Sequence, residues 1–326
     1  MSSGRYSLAE LNRTLAGGLI PAAPVMFGRE HRFHERAHET YVSFMSSQPI
    51  SGVAVWAHTG RGLLLDPETA QRVLRQWRHA VAGKPLIAGV GARTKQANPE
   101  EATHATLVMA QAAADYGADA VLVYPPSWLR HHEQRDSQII KHHEQLSRLG
   151  LPLVLFYLYE AAGGVRYTET VLDELLTLPN VLGIKMATLD SVMTYQDIAS
   201  HLQSRHPEKL LITGEDRFLG YSLRRGAKAA LIGMGAVCAD LQAELIEAHF
   251  SGDAARFLEL SDLIDRLAEV LFVEPMDGYI GRILYALARL GVISADAAND
   301  PWGPALTTAE FDNINALLNT LNVQVG

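Results

Sequence analysis

Cysteine is nearly absent from this sequence, since Cys238 is the only one among 326 residues. A single thiol excludes any internal disulfide bond. This usage fits a protein of a reducing compartment. We therefore expect a cytoplasmic protein.

Long hydrophobic runs are also missing. No segment approaches the roughly 20 consecutive apolar residues that a membrane-spanning helix needs. Near the N-terminus, Arg5 and Arg13 precede a modest apolar stretch at 19–27, but an uninterrupted hydrophobic core is lacking. We expect neither a membrane span nor a signal peptide.

The chain lacks an excess of positive charge. Its 28 Lys and Arg residues are outnumbered by 36 Asp and Glu, which gives a formal net charge of −8. There is no basic patch long enough to offset this balance, so a nucleic-acid partner is excluded. The 48% hydrophobic and 20% charged content is typical of a globular protein with a full core.

Eight short apolar runs alternate with segments long enough for a helix. Most runs have four to eight residues without polar alternation, which is typical of strands buried on both faces of a parallel sheet. The predicted strands are Leu19–Met26, Gly52–His58, Pro85–Gly91, Asp119–Tyr124, Pro152–Leu158, Val181–Met186, Lys209–Thr213 and Ala229–Met234. Eight such units favour a (β/α)8 TIM barrel over the main alternative, a doubly wound open sheet.

The last part of the chain has a helical pattern without further strands. Predicted helices there are Leu241–Phe250, Ala254–Leu271 and Asp277–Leu290, with breaks at Gly252-Asp253 and Gly291. We interpret residues 1–239 as the catalytic barrel. Residues 240–326 are interpreted as a C-terminal helical extension packed on it.

Lys185 lies in the middle of an apolar predicted strand, Val181–Met186. A buried ammonium costs several kcal/mol, by a rough estimate, unless it is paired or loses its proton. The neutral amine can attack a ketone and form a Schiff base. The alternative is a structural lysine that Glu215 or Asp216 neutralises.

In a barrel, the chemistry lies at the carboxyl ends of the strands. Tyr157 ends the strand before that of Lys185, so its phenol is predicted to lie beside the amine and to relay protons. A core tyrosine with its hydroxyl bonded to backbone is the alternative. After strand 2, His58-Thr59-Gly60 offers hydroxyl and amide donors for a carboxylate, although a turn without a ligand is the competing interpretation. Arg61 and Arg93 could add contacts to an acidic substrate or could be surface arginines.

Two histidine triplets, His131-His132-Glu133 and His142-His143-Glu144, suggest metal ligands. They lack the spacing that places two histidines and a catalytic glutamate on one helix face. We interpret them as a solvated polar face and predict no metal site.

Several of these segments resemble the dihydrodipicolinate synthase and N-acetylneuraminate lyase family. The likeness extends over most of the chain and is carried by the lysine strand, Gly183-Ile-Lys-Met-Ala-Thr188, and by five other segments. These are Leu86–Ala92, Ala118–Val123, Leu178–Gly183, Leu211–Asp216 and Leu271–Pro275. The resemblance implies a (β/α)8 barrel with a helical extension, a homo-oligomer (dimer or tetramer), and Schiff-base chemistry on a small 2-oxo acid such as pyruvate without metal or organic cofactor.

The resemblance also implies roles for individual residues. Lys185 would be the Schiff-base lysine, and Tyr157, 28 residues earlier, falls where the family keeps its catalytic tyrosine. Thr59 and Gly60 would bind the keto-acid carboxylate. Ile232 and Gly233 would line the floor below the substrate.

Other positions differ from the family pattern. Two small hydroxyl residues followed by Gly-Glu are usual after strand 2, but residues 58–61 here are His-Thr-Gly-Arg. The paired tyrosine of the synthase branch is replaced by Pro126 and Ser127, and the arginine for the second substrate corresponds to Ala162. These changes predict a divergent member that is not a dihydrodipicolinate synthase. A polar pocket for a hydroxylated or sugar-derived 2-oxo acid would be formed by His58, Tyr159, Glu160 and Glu215.

Three functional hypotheses remain at this point. The leading one is a Schiff-base lyase, either an aldolase or a dehydratase, acting on a 2-oxo acid. The second is a metal-dependent barrel enzyme that uses His58, Glu215, Asp216 and the histidine-rich stretch. The third is a catalytically silent keto-acid-binding or regulatory relative, since fold alone does not fix function.

Overall fold

The computed structural model describes residues 5–92 and 98–321. All eight strands are parallel and form one sheet in the order β1-β8-β7-β6-β5-β4-β3-β2. A parallel bridge between Ala22 and Ala54 joins the two edges, so the sheet closes into a barrel. The strands are β1 (Leu19–Pro21), β2 (Val53–Val55), β3 (Leu86–Val90), β4 (Ala120–Val123), β5 (Leu153–Leu158), β6 (Val181–Ala187), β7 (Leu210–Thr213) and β8 (Ala229–Ile232). The predicted (β/α)8 barrel is confirmed.

A helix precedes the barrel, and one helix follows each strand. They are α1 (Leu8–Leu15), α2 (Glu35–Ser46), α3 (Pro67–Ala80), α4 (Pro99–Asp115), α5 (Arg135–Ser147), α6 (Glu169–Thr177), α7 (Val192–Arg205), α8 (Leu219–Arg224) and α9 (Ala239–Ser251). Three more helices, α10 (Ala254–Leu271), α11 (Tyr279–Arg289) and α12 (Thr308–Thr320), complete the described chain. No helix in the described residues is long and apolar enough to cross a membrane.

Local sequence explains where several of these helices begin and end. Asp66 caps α3 by accepting from the amide of Thr69, and Pro67 follows as the first helical residue. Gly252 has φ +80° after α9, and Gly291 has φ +74° after α11. Residues with a Cβ disfavour this conformation, so both glycines end their helices as the sequence predicted.

Two apolar layers share the strand residues. The inner layer is the barrel interior, where alternate side chains meet around the axis and where Leu11 and Leu15 of α1 also pack. The outer layer joins the other strand faces to the surrounding helices. Because the inner layer fills the lower part of the barrel, the space available to a ligand lies at the carboxyl ends of the strands.

The helices after β8 pack back onto the barrel. α9 packs on β1, while α10 packs on α8 and α9. The division into residues 1–239 and 240–326 stays a prediction. α9 begins at Ala239, the last residue before this division, and occupies the place of the eighth barrel helix. Residues 272–279, between α10 and α11, reach the open end of the barrel and line its cavity.

Candidate active site

A cavity of about 470 Å³ opens at the carboxyl ends of the strands. Strand ends and the loops after them form one side, with Thr59, Phe156, Lys185 and Asp216 among the lining residues. The other side is formed by residues 272–279. A concave pocket that combines apolar walls with a few polar groups is typical of a small-molecule site.

Lys185 reaches this cavity from β6 and is 5% exposed. Its Nζ lies 4.4 Å from the ring centre of Phe156, and its stem passes over Gly214, where an added Cβ would come within 2.5 Å of the lysine Cε. Burial lowers the pKa of Lys185 to about 8, against the opposing charges of Asp216 and Glu215. The amine is therefore much closer to its neutral, nucleophilic form than an exposed lysine is.

Tyr157 does not lie beside Lys185, and this prediction was wrong. In the pairing of β5 with β6, Lys185 is opposite Phe156, and Tyr157 is opposite Met186. Residues opposite each other on parallel strands point to the same side, so Tyr157 faces the outer layer, where its ring lies 6.0 Å from that of Tyr167. Tyr157 shares its face with Leu153 and Leu155, and that face points away from the cavity.

The residue that faces Lys185 lies 29 positions before it (185 − 156), so the 28-residue spacing taken from the family resemblance ends one residue further along β5. β6 is also irregular near its start, because Leu153 pairs with Val181 whereas Val154 pairs with Gly183. Phe156 and Lys185 both follow this irregularity and pair in regular register.

Three side chains form a hydrogen-bonded group on another wall of the cavity. The hydroxyl of Tyr279 lies 3.0 Å from Thr59 Oγ1 and 3.1 Å from His58 Nδ1. His58 and Thr59 belong to a short 3-10 turn directly after β2, His58–Gly60. Burial lowers the pKa of His58 to about 4, so its imidazole is neutral near pH 7.

Gly60 and Ile232 do not line the cavity, whereas Gly233 does. A Cβ on Gly60 would lie 2.7 Å from the Ala23 carbonyl, so this glycine permits close packing below the turn. Ile232 packs in the outer layer. A Cβ on Gly233 would lie 3.0 Å from Thr59 Oγ1, so the absence of a side chain there keeps the cavity open.

The neighbouring acids Glu215 and Asp216 have different roles. Glu215 is fully buried and accepts from the amides of Thr188 and Leu189 and from the Thr188 hydroxyl, so it holds the loop after β6. It does not line the cavity, and its predicted contact with substrate is not supported. Asp216 does line the cavity; it accepts from the Met234 amide at 2.6 Å, and burial raises its pKa to about 6.

Tyr159 lines the outer part of the cavity together with Glu274 and Asp277. Burial raises the pKa of Tyr159 to about 12, with smaller contributions from nearby carboxylates, so its phenol is protonated near neutral pH. Glu160 is exposed and lies outside this lining. The hydroxyl of Tyr159 can therefore act as a hydrogen-bond donor at the entrance.

A second cavity of about 230 Å³ adjoins the first, and His58, Leu158 and Ala162 line both. Arg61 and Ser127 are among its other lining residues. The guanidinium of Arg61 is already paired, at 2.6 Å with Asp300 and at 2.7 Å with Asp277. Arg93, the other arginine considered for an acidic substrate, lies outside the described residues.

The histidine-rich stretch does not reach the cavity. His131, Glu133 and Glu144 are exposed and His132 is half-buried, as predicted for a solvated face. His142 and His143 are buried between helices, which corrects the prediction for these two residues. Burial lowers the pKa of His143 to about 4 and holds that of His142 well below its usual value. Within residues 5–92 and 98–321, the one trio with metal-ligand spacing is Asp173, His201 and His206, on α6 and α7. The residues of the metal-enzyme hypothesis, His58, Glu215 and Asp216, do not form such a group in the part of the chain that the structure describes.

Comparison with known sequences decides the family. A sequence model of the dihydrodipicolinate synthetase family matches residues 15–321, nearly the whole chain. The chain belongs to the dihydrodipicolinate synthetase family. Members of this family are lyases, and the chain is accordingly an enzyme of the class I aldolase type.

Relatives of this chain include enzymes with two different activities, a synthase and a lyase. The 4-hydroxy-tetrahydrodipicolinate synthase of Brucella abortus is 29% identical over 281 residues, covering 85% of this chain and 89% of the relative. N-acetylneuraminate lyase 2 of Escherichia coli O6:H1 is 24% identical over 295 residues, covering 88% of each. The chain is thus similar to both branches of the family.

Solved structures that share this fold include a prophage protein and a synthase variant. YagE, a prophage protein of E. coli K12 solved in complex with pyruvate, has a TM-score of 0.80 at 20% identity, with 94% of this chain and 98% of that chain covered. A monomeric dihydrodipicolinate synthase variant has a TM-score of 0.82 at 20% identity, with 95% and 97% covered. The predicted dimer or tetramer of this family member therefore stays a prediction.

Phe156, Asp216 and Tyr279 are among the cavity residues that were not predicted as substrate or catalytic residues. Phe156 was missed because the 28-residue spacing of the resemblance ends at its neighbour, Tyr157. Asp216 was considered only as a partner for the lysine or as a residue of a metal enzyme, although its place directly after β7 was a usable signal. Tyr279 lies in the helical extension of this dihydrodipicolinate synthetase family chain, about 45 residues after the last strand, and no local pattern connects it to the strand ends.

Proposed function

We propose that the protein is a Schiff-base lyase, an aldolase or dehydratase, that acts on a hydroxylated or sugar-derived 2-oxo acid through Lys185. The observation that carries the proposal is the buried amine of Lys185, which opens into a cavity at the carboxyl ends of the strands with its pKa lowered to about 8. Membership of the dihydrodipicolinate synthetase family supports the same chemistry.

In this mechanism Lys185 Nζ attacks the ketone carbon, and the carbinolamine loses water to give an iminium. The iminium accepts the electron pair of the bond that breaks next to it, and the resulting enamine is protonated and hydrolysed to release the product. The Thr59 hydroxyl and the backbone N–H groups at the start of the turn His58–Gly60 would bind the substrate carboxylate. Because the iminium is the electron sink, the reaction needs no metal or organic cofactor.

Charges at the entrance support the substrate class. Asp216, Glu274 and Asp277 all line the cavity. Carboxylates accept hydrogen bonds from sugar hydroxyls but repel a second anionic group. This lining favours a polyhydroxylated distal chain, in contrast to the second carboxylate that a lysine-pathway synthase binds.

Reductive trapping tests the proposal. The protein is incubated with pyruvate and sodium borohydride, and the modified peptide is located by mass spectrometry. We expect one adduct on Lys185, its loss in Lys185→Ala, and its retention in Lys209→Ala. Lys209 is a suitable control because it is a second partly buried lysine with a lowered pKa, and its Nζ donates to the Val181 carbonyl. A wild-type protein without an adduct would overturn the proposal.

One observation favours a second candidate, a silent keto-acid-binding relative. Phe156, which faces the lysine, has no hydroxyl to move a proton. Stabilisation by pyruvate and an adduct on Lys185, without turnover on a broad panel of 2-oxo acids, would support this candidate. Cleavage or dehydration of any panel member at a rate above 1 s⁻¹, about the low end of typical enzymes, would exclude it.

A further inference from the structure

Schiff-base chemistry needs a proton donor at the position where the carbinolamine forms. The carbinolamine oxygen must leave as water, and a positioned acid accelerates such a step by about 10² to 10⁴. On β5 the residue opposite Lys185 is Phe156, which holds its ring 4.4 Å from the amine but carries no proton to give. The donor must come from another element of the fold.

Tyr279 is the phenol that the structure places in the cavity with a fixed orientation. Its ring is stacked between those of Phe272, at 4.7 Å and 23°, and His58, at 5.9 Å and 14°. Its hydroxyl is held by Thr59 Oγ1 at 3.0 Å and His58 Nδ1 at 3.1 Å. Since Thr59 is also the proposed carboxylate ligand, the phenol lies next to the part of the substrate that reacts.

Gly233 lets the rings of Tyr279 and Phe272 pack close to the end of β8. A Cβ at that position would lie 3.0 Å from Tyr279 Cε2 and 3.3 Å from Phe272 Cζ. Lys185, Gly233 and Tyr279 line the same cavity. A carbinolamine on the lysine therefore forms in the cavity that Tyr279 lines.

His58 connects the phenol to the solvent side. Its ring is half-buried and lines both cavities, while its Nδ1 faces Tyr279. A neutral imidazole can take a proton at one ring nitrogen and release one at the other. The pair Tyr279–His58 thus has the connectivity of a two-residue proton relay.

We propose that Tyr279, supplied by the C-terminal helices, is the catalytic acid–base group of this site, with His58 relaying its proton. The inference rests on the proposed function. The Tyr279 O–H proton passes to the carbinolamine oxygen, the C–O bond breaks, water leaves, and the nitrogen lone pair forms the C=N bond. The phenolate regains a proton from His58 Nδ1 while His58 Nε2 takes one from a water molecule. The hydroxide that remains balances the positive charge of the iminium.

The test compares Tyr279→Phe with Tyr157→Phe, a matched control in which the same hydroxyl is removed from the outer layer. The rate of borohydride-trapped adduct formation with pyruvate is measured for each. We expect Tyr279→Phe to slow trapping at least 100-fold while the final amount of adduct on Lys185 is unchanged. Tyr157→Phe should stay within about threefold of wild type, since its ring packs away from the cavity.

A gain-of-function variant distinguishes a catalytic role of Tyr279 from a purely structural one. Phe156→Tyr places a phenol opposite Lys185. Combined with Tyr279→Phe, it should raise the trapping rate at least tenfold above that of Tyr279→Phe alone. His58→Phe keeps a ring beside an intact Tyr279 and should slow trapping about tenfold, so it tests the relay even if Tyr279→Phe folds poorly.

Two results would overturn the inference: a trapping rate for Tyr279→Phe within threefold of wild type, or an equal loss of rate in Tyr157→Phe. These differ from failure of the proposed function itself, in which wild type would give no adduct on Lys185 at all.

Discussion

Lys185 is a base whose environment favours the uncharged form. Burial lowers its pKa to about 8, and the negative charges of Asp216 and Glu215 limit the shift. A lowered pKa means that the free amine is populated at lower pH than for an exposed lysine, whose pKa is about 10.4. The rate of adduct formation with pyruvate should therefore rise about tenfold per pH unit below pH 8 and level off above it.

Asp216→Asn provides the internal comparison for this pH dependence. Removing the carboxylate removes an interaction that favours the ammonium, so the inflection should move below pH 8. Single-turnover trapping between pH 5.5 and 10.5 measures both profiles. A wild-type rate that keeps rising to pH 10 would contradict the assigned environment.

Gly214 determines where the lysine stem lies. A Cβ there would lie 2.5 Å from Lys185 Cε and 2.8 Å from the Met186 carbonyl, so both the side chain and the backbone would have to move. We expect Gly214→Ala to lower the trapping rate at least tenfold, because the amine is displaced from its attack position.

Gly281→Ala in α11 is the matched control for Gly214→Ala. Its Cβ would meet only the side chain of Leu306, at an ordinary 3.6 Å. This variant should trap pyruvate at the wild-type rate. Equal loss in the two variants would show that the defect comes from general destabilisation.

At the scale of elements, strand positions were predictable but strand phase was not. Each predicted strand overlaps an observed one, because buried apolar runs bounded by turns carry a strong signal. The direction in which each side chain points has no such signal in a strand that is apolar and buried on both faces, such as Leu153–Leu158. Lys185 was identified from its chemistry. Tyr157 was assigned from its place on the neighbouring strand and from the family spacing, and it came out one residue from the inward position.

Arg282 is one of the side chains that hold the segment between α10 and α11. Arg282 is fully buried and donates to the carbonyls of Leu271, Val273 and Pro275, and it pairs with Glu310 at 2.7 Å. Because this segment forms one wall of the cavity, the arginine fixes the wall as well as the helix packing.

Arg282→Met should leave the Leu271 and Val273 carbonyls and Glu310 Oε1 without this donor. The Pro275 carbonyl keeps the Gly278 amide, and Glu310 Oε2 keeps its bonds from Thr307. We expect a loss of about 3 kcal/mol in the free energy of unfolding, together with a higher KM for pyruvate trapping. Urea denaturation and trapping at varied pyruvate concentration measure the two effects. Arg289→Met, on the same helix but exposed, should change stability by less than about 0.5 kcal/mol. Similar losses in the two variants would contradict this role for Arg282.

For the whole molecule, the closed barrel and its helical extension could be predicted from the number and spacing of apolar runs. What the extension contributes to the site could not, because it depends on long-range packing. Tyr279 meets His58 and Thr59 across some 220 residues of sequence, and Arg61 meets Asp300 across 239. Separations of this size leave no periodicity to detect.

The Arg61–Asp300 pair joins the loop after β2 to the C-terminal region. Both side chains are buried, at 9% and 3% exposed, whereas Asp277, the other partner of Arg61, is 53% exposed. Asp300→Asn should lower the free energy of unfolding by about 3 kcal/mol, since it leaves a buried guanidinium short of a counter-charge. Asp277→Asn should cost less than about 1 kcal/mol. Denaturant titration of the two variants gives the comparison, and equal losses would contradict it.

Cys238 lies in the packed interior, directly before the first residue of α9. The thiol is 6% exposed, and burial raises its pKa to about 12, so it reacts slowly with alkylating reagents at neutral pH. A maleimide dye would consequently attach to any surface cysteine introduced by mutation without removal of the native one. Ala161, exposed at the cavity entrance, is one such attachment point, from which fluorescence would report the arrival of a ligand.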